Sequence, residues 1–303
     1  MSKVFVSAFT QSRLLREFEQ TLSKVCPREV ADVRFVQQSH NATVFQGMID
    51  GQPAFFKWYE PQVAEKIVTK SVAEIESVTR RMTGCVGGAA PLIWASARDG
   101  IIVIGTVSGE PVIDVLGRSD MPHVLSQVGR WLQDYVGDTV YEDQYSTSYW
   151  MRIRNAVDLE PLSKRERDIA GELRGMQADL AQKLGTVPTL KGHVPRDFTP
   201  WNLHWTGCAI WAFDMEGHVR ISLALSLARF SVLSTEQADL FNGDGVQWPL
   251  ESLVQTLDND YDDEHLVPFV YGDILFERYV KWSGHSIKGP RLERAITHFM
   301  ETT

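Results

Sequence analysis

The spacing of apolar residues changes twice along this 303-residue chain. Near the start, Leu14, Leu15, Phe18 and Leu22 recur at the intervals of one helix face, so residues 10–24 predict an amphipathic helix. From about residue 30 the pattern belongs to strands. "DVRFVQQS" is one candidate, and "ATVFQGMIDGQPAFFKWYE" is two more joined at Asp50-Gly51, a pair suited to a tight hairpin. After Pro61, "PQVAEKIVTKSVAEIESVTRRM" returns to helical spacing through Ile67, Ser71, Ile75, Val78 and Met82, and the glycines of "GCVGGAA" end it. "PLIWASARDGIIVIGTVSG" supplies two further strands around Asp99-Gly100, so five strands and one embedded helix fill residues 30–107.

Beyond Gly109 the texture is helical. Residues 120–136 and 161–185 are helices by period and by their Leu, Arg, Glu and Gln content. Short strands are expected at 203–206 and 209–213, and helix again from 232 to the end. This is an α+β pattern: a β-rich part, residues 1–107, followed by a mainly helical part, residues 108–303. A chain of this length can bury two cores.

Charge and composition narrow the function. The formal net charge of −9 opposes non-specific binding to nucleic acid, which polyphosphate repulsion disfavours. Cys26, Cys85 and Cys208 are odd in number and far apart, which predicts a reducing, cytoplasmic setting; Cys208, in an apolar run, reads as a small buried hydrophobe. The first twenty residues lack the apolar core of a signal peptide, and no window approaches eighteen apolar residues, so no membrane span is expected. The eight histidines show no zinc-ligand spacing.

The chemistry concentrates in "HVPRDFTPWNLHW" (193–205) and "AIWAFDMEG" (209–217). Taken alone, Asp197 reads as a turn or cap residue and Asp214 as the start of a turn. Together they suit phosphoryl transfer, which requires oxygen ligands for a divalent cation, a cation on the phosphates and a carboxylate beside the attacking hydroxyl. Asp197 can accept the hydroxyl proton, while Asn202 and Asp214 offer oxygens to the metal.

"PRDFTPWN" followed by "AFDMEG" resembles the catalytic loop and metal-binding Asp of the aminoglycoside phosphotransferase and choline kinase superfamily, small-molecule relatives of the protein kinases. Pro195 and Arg196 stand where that family has His and Gly, and Ser226 stands where it has a structural Asp, but the three catalytic positions are kept. The resemblance implies a two-lobed protein-kinase-like fold using ATP and Mg2+; nothing after Asp214 resembles an activation segment with Ala-Pro-Glu, which weakens the reading as a protein kinase.

It further implies a lysine on a strand. Lys57 in "AFFKWYE" fits, since a lysine in an apolar strand is costly unless it meets an anion; the other reading is a solvent-facing edge lysine. A carboxylate on the next helix should hold it. Glu65, Glu74 and Glu76 are the candidates, with Glu74 favoured by its place beside the apolar stripe and Glu76 by family spacing. "SHNAT" (39–43) is the expected phosphate loop, with Ser39 and Thr43 toward phosphate, or else a plain hairpin turn. The backbone from Ile104 to Val107 is expected to bind the nucleotide base.

The acceptor is expected to be a hydroxyl of an aminoglycoside-, choline- or sugar-like molecule. The run "LDNDYDDEH" (257–265), acidic at five of nine positions, would attract a cationic one, or is a solvated loop. Trp201, Trp205, Trp211 and Trp248 are candidates for a cation–π wall, or for core. The competing function is a catalytically inactive kinase-like nucleotide-binding or scaffold protein.

Overall fold

The computed structural model describes residues 6–118, 121–214, 217–238, 240 and 266–303. They pack as two compact units, Met1–Gly109 with Trp211–His218, and Glu110–Ile210 with Val219–Thr303.

The first unit is β-rich. Helix α1 (Ala8–Val25) is capped by the Ser7 hydroxyl and buries Phe18 and Leu22. The strands are β1 (Val30–Gln38), β2 (Ala42–Ile49), β3 (Gln52–Tyr59), β4 (Gly87–Ala89), β5 (Leu92–Ser96) and β6 (Ile101–Gly105). Five of them form an antiparallel sheet in the order β1-β2-β3-β6-β5. The β2–β3 turn falls on Asp50-Gly51, at φ 48° and 74°, the left-handed region that this hairpin demands. Phe18 stacks on Phe45 at 4.2 Å and meets Phe56 edge-on, so α1 closes one face of the sheet. Helix α2 (Ala64–Arg81) buries Val68, Ser71, Glu74, Ile75 and Val78. Val68 rather than Ile67 lies in the buried stripe, and the glycine run after α2 also supplies β4.

The second unit is mostly helical. It contains β7 (Glu110–Pro111), α3 (Val112–Val115), α4 (Met121–Val136), β8 (Tyr141–Ser146), α5 (Thr147–Asn155), α6 (Lys164–Leu184), β9 (Thr186–Pro195) and β10 (Leu203–Trp205). Strand β11 (Ile210–Ala212) begins here, and β12 (His218–Ser222), α7 (Leu223–Gln237), α8 (Leu266–Trp282) and α9 (Lys288–Thr302) follow.

Its core joins α5, α6, α7, α8 and α9 around Phe269, Tyr271, Phe276 and Phe299. A buried charge cluster ties α5 to α8: Arg154 donates to Asp273 at 2.5 and 2.9 Å and to Glu277 at 3.0 Å. Burial pushes the Asp273 carboxyl up despite this partner.

Strands β8, β9 and β12 form a sheet that the pattern did not announce, because Pro188, Gly192 and Pro195 break the alternation of β9. Helix α7 starts at Leu223 rather than 232. It is buried almost all round, so no polar face marks its period.

Candidate active site

Strand β3 sits between β2 and β6, with Lys57 opposite Val44 and Ile102. Side chains two apart on a strand share a face. Phe55 packs edge-on against Phe213, and Lys57, next on that face, forms an ion pair with Asp214. The side chains of Lys57 and Asp214 are only 12% and 17% exposed, so two residues 157 positions apart meet largely out of water. Asp214 has φ 60°, a left-handed conformation that costs a non-glycine residue about 1–2 kcal/mol. Such outliers persist where the surroundings over-determine them, commonly at functional sites.

Of the three candidate glutamates on α2, Glu74 is buried at 6% exposure, while Glu65 and Glu76 are exposed. Its carboxylate accepts from His218 Nδ1 at 2.6 Å and lies 3.7 Å from Arg81 Nη2. His218 and Arg81 were not singled out in the sequence. Arg81 is two turns along the same helix, but His218 lies 144 residues away, and no spacing rule reaches that far.

The turn 39–42 is closed on itself. Ser39 N–H donates to Ala42 O at 2.8 Å, and Ser39 Oγ both donates to Ala42 O and accepts from Ala42 N–H. Thr43 is buried at 3% exposure within β2. Ile104 is buried in β6, Gly105 N–H donates to Pro91 O and Thr106 N–H to Pro53 O. Val107 follows this run half-buried, with no hydrogen-bond partner among the described residues.

In the second unit, β9 runs into the loop bearing Asp197 and Asn202. The loop is rigidly seated: Phe198 is buried, stacks on Trp131 at 6.1 Å and packs on Phe230 at 5.0 Å. Pro200 O accepts from Ile113 N–H at 3.1 Å. Asn202 Nδ2 donates at 3.0 Å to both the main-chain O and Oδ2 of Asp197. With its nitrogen so engaged, Asn202 presents Oδ1 as its remaining ligand atom.

Asp214 carries a carboxylate in the first unit and Asn202 a carboxamide in the second; each is an oxygen donor of the hard kind that Mg2+ takes.

Other candidates are placed differently. Cys208 is exposed, on the turn closed by Thr206 N–H and Ala209 O at 3.0 Å, which overturns the expectation of burial. Trp205 is buried against His123, and Trp211 lies over Gly88. Ser226 is buried on α7 and donates to Ser222 O at 3.0 Å. Trp248 and residues 257–265 lie outside the described residues.

No family model matches the sequence, and no curated protein matches it either. Solved structures do match. The GDP and kanamycin complex of the aminoglycoside phosphotransferase APH(2″)-IIIa is 8% identical, with 95% of this chain and 99% of that one covered and a TM-score of 0.58. Choline kinase LicA from Streptococcus pneumoniae is 10% identical, with 96% and 100% covered and a TM-score of 0.51. The amicoumacin kinase hAmiN, in complex with AMP-PNP and Ca2+, is 11% identical, with 96% and 96% covered and a TM-score of 0.57. The chain therefore has the fold that these kinase structures share.

Proposed function

We propose that this protein is an ATP-dependent phosphotransferase that moves the γ-phosphoryl group to a hydroxyl of a small molecule. The observation that carries the reading is the Lys57–Asp214 pair. A lysine on the central β3 and an aspartate after β11 have no structural need to meet in a largely dry setting at the cost of a left-handed Asp214.

The Met1–Gly109 unit would take the nucleotide. Lys57 would bind its phosphates with Glu74 as the supporting carboxylate, and the 39–43 turn, including Ser39 and Thr43, would border the phosphates. Backbone from Ile104 to Val107 would hold the base; Val107 has unengaged main-chain groups among the described residues. Asn202 and Asp214 would hold Mg2+, which when bound would neutralise phosphate charge.

Asp197 would accept the proton of the acceptor hydroxyl. The acceptor oxygen then forms a bond to the γ-phosphorus as the bond to the ADP oxygen breaks. The Asn202 amide holds the Asp197 carboxylate through Oδ2, and Oδ1 would take the proton. Kanamycin and choline kinases share the fold, so amine-bearing alcohols head the acceptor panel. We place the protein in the cytoplasm, in keeping with the odd number and wide spacing of Cys26, Cys85 and Cys208; among the described residues no helix is long and apolar enough to cross a membrane.

The test is a thermal-shift titration with Mg·ATP and Mg·GTP, then nucleotide consumption across aminoglycosides, aminoalcohols and sugars. Asp197→Ala should abolish turnover and leave nucleotide binding intact. Full turnover in that variant would sink the assignment of Asp197, and a shift with no consumption on any acceptor would favour a nucleotide-binding protein without transfer.

A further inference from the structure

We propose that His218 is a positioning residue that holds Glu74 and thereby ties helix α2 to the segment bearing Asp214. The proposal rests on the phosphotransferase reading for its consequence and on geometry alone for its contact.

A carboxylate as buried as Glu74 must be met by hydrogen-bond donors or a counter-charge, because its lost hydration is otherwise uncompensated. His218 Nδ1 meets it at 2.6 Å, the length of a strong, charge-assisted hydrogen bond. Arg81, with Nη2 at 3.7 Å, adds a counter-charge. The donor on the imidazole is therefore Nδ1–H.

The contact is one of two made in register. One turn earlier on α2, the Lys70 side chain lies over Gly217: a Cβ at Gly217 would stand 2.7 Å from Lys70 Cε. Gly217 is buried and has φ 129°, which side chains rarely adopt, so no other residue type fits there without strain. Residues 70 and 74 are neighbours on one helix face. Consecutive residues 217 and 218 thus lie along consecutive turns of α2.

Asp214 is four residues upstream of His218 and is itself bound to Lys57 on β3. Asp214 is thus held by β3, and His218 by α2. Four positions of chain separate the two, so the His218 contact limits how far Asp214 can move from α2 and, on the phosphotransferase reading, how well Asp214 is preorganised for Mg·ATP.

The experiment compares the full chain with His218→Leu and His218→Asn, after thermal melting shows that each is folded. An asparagine amide can place an N–H where Nδ1–H stands; leucine cannot. Two readouts are taken: hydrogen exchange without nucleotide, and Mg·ATP affinity by calorimetry. His218→Leu should speed exchange over 74–81 and 211–214 together and weaken Mg·ATP by about tenfold, the scale of one hydrogen bond to a charged group. His218→Asn should restore both to near wild-type values.

Unchanged exchange in His218→Leu, or equal loss in Leu and Asn variants, overturns the proposal. Failure of the wild type to bind Mg·ATP overturns the phosphotransferase reading instead, and the exchange data then decide the His218 contact by themselves.

Discussion

Replacing Lys57 by Met keeps the length and apolar stem of the side chain and deletes only the ammonium group, so it asks how much the pair with Asp214 is worth. Asp214 would be left at 17% side-chain exposure without the Lys57 ammonium. Breaking a fully buried pair costs about 3–5 kcal/mol. Residual water access at Asp214 reduces the expected loss to about 2–3 kcal/mol.

Lys57 makes further contacts, so the single mutant alone would overstate the pair. A double-mutant cycle removes that excess. Asp214→Asn and Lys57→Met/Asp214→Asn complete it, with urea unfolding as the assay. The expected coupling is about 1.5–2.5 kcal/mol, within the range for contacting residues. It should persist from low salt to about 1 M, because a pair sheltered from solvent is poorly screened. A coupling below about 0.5 kcal/mol, the scatter of independent sites, would show that the two groups do not hold each other and would remove the main support for a phosphate and metal centre here.

Three further outcomes are expected. In Gly272→Ala the new methyl group would overlap the Gln177 amide and stand 2.7 Å from Phe299 Cε1, so stability should fall by about 1–3 kcal/mol in chemical denaturation, and Gln177→Ala in the same chain should recover part of it. Ser163→Ala removes the capping box of α6 and should cost about 1 kcal/mol by the same assay. The Ser163 hydroxyl is also the largest influence holding the Glu166 carboxyl below its ordinary value of 4.5, and a depressed acid contributes stability above that value and loses it as pH falls through the folded-state pKa. The acid limb of the stability curve below about pH 4.5 should therefore be shallower in Ser163→Ala than in wild type.

Much of the first unit was legible because its signals are local. The Asp50-Gly51 and Asp99-Gly100 pairs lie at the turns, Phe18 and Leu22 face the core, and the α2 stripe buries Glu74 while leaving Glu76 in solvent. Period, turn chemistry and burial operate within a few residues of one another, so the chain alone specifies them. The same holds for Asp197 and Asn202, five positions apart, whose amide–carboxylate contact closes within one loop.

What the chain could not disclose are the long-range partners. Lys57 meets Asp214 across 157 positions, and Glu74 meets His218 across 144. Strand β9 and helix α7 were unreadable for another reason: prolines erase the alternation of the first, and burial on every side removes the polar face of the second. Which donor neutralises a buried carboxylate is settled by the fold that desolvates it, because the cost of burying charge exists only once the surrounding elements have packed.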